Sequence, residues 1–411
     1  MKARDGKLLA GRCLIAVAAL LPVVVTGAAV ATPLADLIAQ DVDTAVYQHY
    51  HLDLLYTHMG DNRGFGPEHD LARDNIVATL SAMNLTVAME PFVYSGTTYY
   101  NIVATQIGRD LPGRIHVLGA HFDSVNNPGA DDNGTGTALV MEAARVLSQY
   151  RASRTIKFVL FDREEQGLVG SGAFVSAHAA ENIVQAVVAD MVGHDSGAYA
   201  MDIYGTNASA TVVNGVSAAI GSYGGTLGAF LNFGTYSFSD HWPFESAGIP
   251  ACVLIERCYT CNPYYHTPND AVEVEPGYID YNMVTDLVRS IVGYTVDQAH
   301  VTLFGDADRD NDVDELDLAA FQTCFGNPVP MGCNSFDYNG DNVVDCADWP
   351  GIRHAFLRSS GYVPALDAAT FTAVLLGGDT DPAHQCIADM NLDGVADGVD
   401  IQSYVDAVTG P

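Results

Sequence analysis

The sequence predicts an α/β fold: a mostly parallel central sheet sandwiched by helices, followed by a small α-helical C-terminal domain. Strand-like and helix-like runs alternate from about residue 35 to residue 299, the pattern of a sheet covered on both faces. The run Thr155-Ile156-Lys157-Phe158-Val159-Leu160-Phe161 is nearly continuous apolar, as expected of a parallel strand buried on both sides. A sharp change of composition near Leu303 marks the second part. From Phe304 onward there are 19 acidic residues, 18 of them Asp, against three Arg and no Lys. That quarter of the 411-residue chain carries −16, half of the formal net charge of −32.

In chain order, helical periodicity covers residues 35–59 and 67–83. Strands rich in Val, Phe and Tyr follow at 86–94, 98–106 and 114–118. A small-residue helix spans 134–150 and precedes the apolar strand 155–161. Helix 168–180, strand 184–192, helix 208–223, strand 250–255 and a closing helix 277–299 complete the unit. An apolar content of 48% allows a large core. The strong negative charge argues against nucleic acid or an anionic membrane surface as partner.

Lys2, Arg4, Lys7 and Arg12 precede the apolar run Cys13–Val25, and Ala29-Val30-Ala31 supplies a small-residue cleavage site. Residues 1–31 read as a secretory signal peptide, which predicts a secreted, cell-surface or periplasmic protein with no membrane attachment after cleavage. Eight cysteines in such a compartment suit local staples. Cys258-Tyr259-Thr260-Cys261 has no second CxxC to complete a metal knuckle and reads as a tight disulfide. The spacing of Cys324 and Cys333 suits another staple. Seven cysteines would remain after cleavage, so at least one is left without a partner in the chain.

Five polar segments fall where predicted strands end or helices begin, the place where open α/β sheets put their sites. They are His121-Phe122-Asp123-Ser124, Gly129-Ala130-Asp131-Asp132-Asn133-Gly134, Glu164-Glu165-Gln166-Gly167, Asp190-Met191 and Tyr265-His266-Thr267-Pro268-Asn269-Asp270. Singly each has a structural reading, as a surface pair, a turn and helix cap, or a solvated loop. Together they form a nitrogen and oxygen ligand set that suits zinc and the holding of two divalent ions for hydrolysis. Glu164 and Glu165 are neighbours, so one points readily at a metal while the other sits beside the water to be activated.

These segments resemble the secreted dizinc aminopeptidases, a group that includes glutamate carboxypeptidase-like enzymes and glutaminyl cyclases. The resemblance runs from about Leu34 to Gln298 and implies the zinc exopeptidase fold. It implies that His121, Asp131 and Asp190 hold one zinc and that Asp131, Glu165 and His266 hold the other, with Asp131 bridging. Glu164 then matches the general base. Asp123 and Asp270 match carboxylates that orient the ligand histidines. The bond after the bridging aspartate is one the family often strains. Tyr265, beside His266, is either an oxyanion donor or a core tyrosine. Ser239-Asp240-His241-Trp242-Pro243-Phe244 resembles a cleft-forming helix start, with Asp240 and His241 structural or substrate-contacting.

Three twelve-residue loops repeat in the acidic part. Their oxygen-bearing residues are Asp306, Asp308, Asp310, Asp314 and Asp317; then Asp337, Asn339, Asp341, Asp345 and Asp348; then Asp389, Asn391, Asp393, Asp397 and Asp400. Positions 1, 3, 5, 9 and 12, with a backbone carbonyl from position 7, are the ligands that wrap a calcium ion. Position 6 is Asn311, Asn342 or Gly394, residue types that tolerate a left-handed backbone. This part resembles dockerin and other EF-hand-like repeats of extracellular bacterial enzymes, which implies a cohesin-like or cell-surface partner. It departs from that pattern in having three loops at uneven spacing.

The expected protein has a signal peptide at 1–31, a dizinc peptidase domain at 32–302 and calcium-binding repeats at 303–411. Its expected substrates are peptides, cut from their N-termini. A carboxypeptidase of the same fold and an inactive extracellular binding protein are the rival readings.

Overall fold

The computed structural model describes residues 32–55, 62–308, 310, 312–326, 333–360 and 365–409. The predicted signal peptide and Asn311 lie outside the described residues. Ten strands are described: β1 (Thr86–Tyr94), β2 (Thr97–Gln106), β3 (Leu111–His121), β4 (Arg151–Ala152), β5 (Arg154–Phe161), β6 (Ile183–Ala189), β7 (Ala200–Gly205), β8 (Gly228–Phe233), β9 (Ala251–Glu256) and β10 (Val301–Thr302). Eight of them form one sheet in the order β1-β2-β5-β3-β6-β9-β7-β8. Its centre, β5-β3-β6-β9, is parallel throughout, and β1, β2 and β7 run antiparallel to their inner neighbours. β4 and β10 make a separate antiparallel pair.

Thirteen α-helices are described. They are α1 (Pro33–Ala39), α2 (Thr44–His49), α3 (Pro67–Ser81), α4 (Gly134–Leu147), α5 (Val169–Ala177), α6 (Ala210–Tyr223), α7 (His241–Ser246), α8 (Tyr281–Ala299), α9 (Glu315–Cys324), α10 (Trp349–Ser360), α11 (Ala368–Leu375), α12 (Pro382–Ala388) and α13 (Asp400–Thr409). The pleat sorts the central strands between two cores. Ile156, Phe158 and Leu160 of β5 join Leu118 and Ala120 of β3 in the larger cluster, beneath α4, α6 and α8. Val159 and Phe161 join Ile115 and Val117 on the other face, against Phe174 of α5 and Phe244 of α7. The predicted α/β sandwich is therefore present, with a helical C-terminal part.

Two local readings change. The single helix expected over 35–59 is two helices, because Asp43 caps the second by accepting from the Ala45 N–H at 2.7 Å; a π-helical turn, Tyr50–Leu55, then follows. Strands β7 and β8 were not expected. They are short, and β8 is a partly exposed edge, so neither shows a clean alternation.

Among the described residues, cysteines pair as Cys258–Cys261, Cys324–Cys333 and Cys346–Cys386, leaving Cys252 buried and free in β9. The apolar core does not stop at Leu303. The larger cluster continues from α8 through Leu303 and Phe304 to Phe321, Phe336, Trp349 and Phe356 of the C-terminal helices.

His116, in the middle of β3, is buried with both ring nitrogens lacking a hydrogen-bond partner. Burial, and then the nearby charges of Arg154 and Arg114, push its pKa from 6.5 down to about 4. Unfolded chains take up this proton near 6.5, so between these values the unfolded state binds more protons and stability falls as pH drops. Urea unfolding at pH 7 and pH 5 should show His116→Leu losing about 2 kcal/mol less than the unaltered chain over that interval. Equal losses in both would mean that the His116 ring does not carry this dependence.

Candidate active site

The parallel centre of the sheet sends four strand ends to one place. His121 closes β3, Glu164 and Glu165 follow β5, Asp190 follows β6, and the loop after β9 brings Tyr259, Tyr265 and His266. These residues, with Asp132, Met191, Phe238 and Ile255, line a cavity of about 80 Å³. His121 Nε2 lies 3.2 Å from Asp190 Oδ1 and 3.4 Å from Asp132 Oδ1. His266 Nε2 lies 3.1 Å from Asp132 Oδ2 and 3.3 Å from Glu165 Oε2. Asp132 thus turns one oxygen to each imidazole. Ligand atoms of His121, Asp132 and Glu165 fall within 4.8 Å of one another, as do those of His121, Glu164 and Asp190.

The place between the two histidines, expected for Asp131, is taken by its neighbour Asp132. Asp131 faces the opposite way. Its Oδ1 accepts from the Gly193 N–H at 2.9 Å and from the Thr135 hydroxyl at 3.0 Å, and its Oδ2 accepts from the Asn262 side chain at 3.0 Å. A Cβ at position 193 would lie 2.9 Å from that carboxylate oxygen, so glycine is what permits the approach. Asn133 fixes the register: its side chain caps α4 through the Gly136 N–H at 2.9 Å. The Asp132–Asn133 peptide bond is cis.

Of the two supporting carboxylates, one differs from expectation. Asp270, expected to orient a histidine, accepts from the backbone N–H groups of Asp131 (2.8 Å) and Asp132 (3.0 Å) and from the Tyr278 hydroxyl (2.8 Å). It builds the turn that aims Asp132. His121 Nδ1 is 3.1 Å from the Asp123 backbone oxygen, while the Asp123 carboxylate accepts from the Glu164 N–H at 3.1 Å. Asp123 therefore orients both the histidine and the Glu164 turn. Buried Arg63 donates to the carbonyls of Phe122 (3.2 Å) and Gly129 (2.6 Å), pinning the two ends of that loop under the acidic cluster.

Electrostatics follow from crowding. Burial would depress His121, but the charges of Asp190 and Glu164 and hydrogen bonds to Asp123 and Asp132 raise it well above the ordinary imidazole range. For His266, burial again opposes, and hydrogen bonds to Asp132 and Glu165 lift it to about 10. Burial would raise Asp132, yet hydrogen bonds from both histidines hold it far below the usual carboxylate value. Burial, then the charge of Asp132, pushes Glu165 up to about 8. Burial is also what raises Glu164 well above its ordinary value. Tyr265 is raised too, by burial and the surrounding carboxylates, and its ring lies 3.9 Å from that of His266. Asp240 is wholly buried with neither carboxylate oxygen hydrogen-bonded, and burial pushes it to about 7. His241, at the start of α7, is buried with both ring nitrogens without a partner.

The donor set fits zinc: two imidazole nitrogens and several carboxylates converge, and Glu165 Oε1 is buried with no hydrogen-bond partner. The sequence reading does not single out Asp132 as the carboxylate between the histidines, nor Tyr259 and Phe238 as cleft walls. The pairing of Asp132 with an immediately following helix cap was the available signal.

The three acidic loops share one backbone arrangement. The position-12 carboxylates Asp317, Asp348 and Asp400 are buried and accept from the N–H groups of Asp314, Asp345 and Asp397 at 2.9, 2.9 and 2.8 Å. The position-9 carboxylates in turn accept from Leu316, Ala347 and Val399, starting α9, α10 and α13. Asp306, Asp308 and Asp317 bring ligand atoms within 4.8 Å of one another. Asn342 and Gly394, at position 6, have φ of 66° and 91°.

Residues 101–290 match the peptidase family M28. Among curated proteins the chain is similar to aminopeptidase YwaD of Bacillus subtilis, 32% identical over 194 residues, 44% of this chain and 41% of that one. Among solved structures, the LapA aminopeptidase of Legionella pneumophila superposes with a TM-score of 0.56 at 22% identity, covering 64% of this chain and 74% of that one. Porphyromonas gingivalis glutaminyl cyclase does so with a TM-score of 0.50 at 22% identity, covering 62% and 99%. The chain spans about half the length of the curated relatives it matches. Residues 101–290, the stretch that matches this family, hold most of the central sheet and every residue of the acidic cleft.

Proposed function

We propose that this protein is a secreted aminopeptidase that works with two zinc ions and carries calcium in its C-terminal loops. His121, Asp132 and Asp190 would hold one zinc, and Asp132, Glu165 and His266 the other. What supports this is the orientation of Asp132, one oxygen toward each histidine, within a buried ligand set. When bound, zinc supplies Lewis acidity that polarises a carbonyl and makes water acidic near neutral pH. Glu164 takes the proton of the attacking water and returns it to the leaving amine, a role that suits a carboxyl raised by burial. Tyr265 is proposed as a donor to the oxyanion.

The observation that carries the direction of attack is which side chains the cleft lacks: no Lys or Arg lines it among the described residues. A substrate's terminal carboxylate would find no guanidinium or ammonium side chain there to pair with. This favours the aminopeptidase reading over the carboxypeptidase. Secretion is supported by three disulfides and by the leader-like pattern of residues 1–31.

Glu164→Gln should retain both zincs and lose about 10²–10⁴-fold in kcat; unaltered turnover with two zincs bound would remove Glu164 from this role. Asp132→Ala should lose both ions by elemental analysis, while Asp131→Asn should keep them in larger part, because its contacts support the loop and not the ligand set. The opposite ranking would restore the bridge to Asp131. Acetylating the N-terminus of a peptide substrate should abolish cleavage, and release of C-terminal residues from acetylated peptides would establish the carboxypeptidase instead.

A further inference from the structure

We infer that calcium in the second loop, Asp337–Asp348, clamps the C-terminal helices to the α/β part that precedes Leu303, the proposed peptidase unit, so that calcium stabilises the catalytic part and not the tail alone. This rests on the calcium reading above. The second loop touches the peptidase unit directly: Asn84, just before β1, donates from its side chain to the Tyr338 carbonyl at 2.7 Å. Tyr338 sits edge-on to Phe304, ring centroids 5.0 Å apart, and Arg151 of β4 lies over Phe304 at 5.1 Å. On its other side the Tyr338 ring packs on α10 at Gly351, where a Cβ would come within 2.3 Å of it. Glycine at 351 is what lets the tyrosine wedge between helix and peptidase unit.

Asp337, at position 1, is 8% exposed, and its Oδ1 is buried with no hydrogen-bond partner, while Oδ2 accepts from the Asn342 N–H at 3.1 Å. An ionised oxygen left so is costly, and a hard cation ringed by oxygens is the partner it suits. Asp389, at the same position of the third loop, has both oxygens accepting from backbone N–H groups, at 3.1 and 2.8 Å. Asp337, Asp341, Asp345 and Asp348 together carry −4. The mostly buried Arg151 guanidinium supplies one positive charge near Asp337 and Asp348, and calcium would supply two more. The peptidase unit thus shares in neutralising the loop.

Order in the loop is passed on through α10, which starts at its end. Arg358 of that helix donates to the Leu37 carbonyl at 2.7 Å and lies 2.9 Å from Asp41, gripping α1 and the turn after it. The His354 ring meets that of Tyr150, 6.0 Å between centroids.

The chain has two tryptophans, Trp242 in the peptidase unit and Trp349 in the tail, so Trp349→Phe leaves a reporter of the peptidase unit alone. Full-length protein with zinc held constant should bind added calcium by calorimetry. The thermal transition seen at Trp242 should then rise by roughly 5 °C or more at calcium far above its dissociation constant. Asp337→Asn with Asp341→Asn should abolish that rise, and Asp389→Asn with Asp393→Asn should leave most of it. Should Trp349→Phe fail to fold, the same series is read in the Trp349 chain from peptidase activity surviving timed heating. Calcium binding without any change at the peptidase unit would overturn the clamp and leave the calcium loops standing. No calcium binding that the second-loop substitutions remove would overturn both.

Discussion

Buried carboxylates that must face one another are the constraint on which this structure turns. The parallel strands deliver Asp132, Glu164, Glu165 and Asp190 to one small cavity, and a low-dielectric cleft cannot hold so many like charges unaided. The chain answers in three ways. Two imidazoles stand between the carboxylates and are driven toward their charged form. Glu164 and Glu165 are pushed toward holding protons. Backbone N–H groups, aimed by Asp270 and Asp123, fix the turns so that no other arrangement relieves the crowding. A site built this way has a standing demand for divalent cations, which is the property its proposed chemistry uses.

That demand explains why so much of the site was legible in the sequence. His121, Glu164, Glu165, Asp190 and His266 each follow a recognisable strand or precede a helix, so their order along the chain maps onto strand ends. Asp131 and Asp132 were not separable that way. Both sit in an irregular turn, where neither period 2 nor period 3.6 says which neighbour points inward. Their roles are settled by partners distant in sequence, Gly193 and Asn262 for one and two histidines for the other. Asp270 escaped for a related reason: spacing shows that a carboxylate is near a histidine, but not that it spends its oxygens on backbone. Strand β7 and the edge strand β8 are hard to read because both are short; β7 is buried at almost every position and β8 is partly exposed along its length, so neither alternates cleanly.

The acidic tail meets the same constraint with different means. Each position-12 aspartate is buried, yet is surrounded by N–H groups of its own loop and so needs no side-chain cation. Position 1 of the second loop is where this scheme runs short, with one oxygen of Asp337 unmatched. Spacing was enough to find the loops, since the repeat is written in oxygen-bearing residues. It was silent on the docking, because Asn84, Arg151 and Tyr338 belong to no motif and meet only in the folded chain.

The boundary near Leu303 therefore separates two compositions more sharply than it separates two cores. A modular tail would end its apolar cluster at the linker, but here Leu303 and Phe304 continue the cluster from α8 into the C-terminal helices. β10 pairs with β4, and Arg151 on that β4 strand lies over Phe304 and within electrostatic range of Asp337 and Asp348 of the second loop. A positive charge on the α/β side and an excess of carboxylates on the tail side meet across this seam. An ion bound in the loop would act on a surface that both parts share, so the acidic composition of the tail bears on the α/β part as well as on the tail.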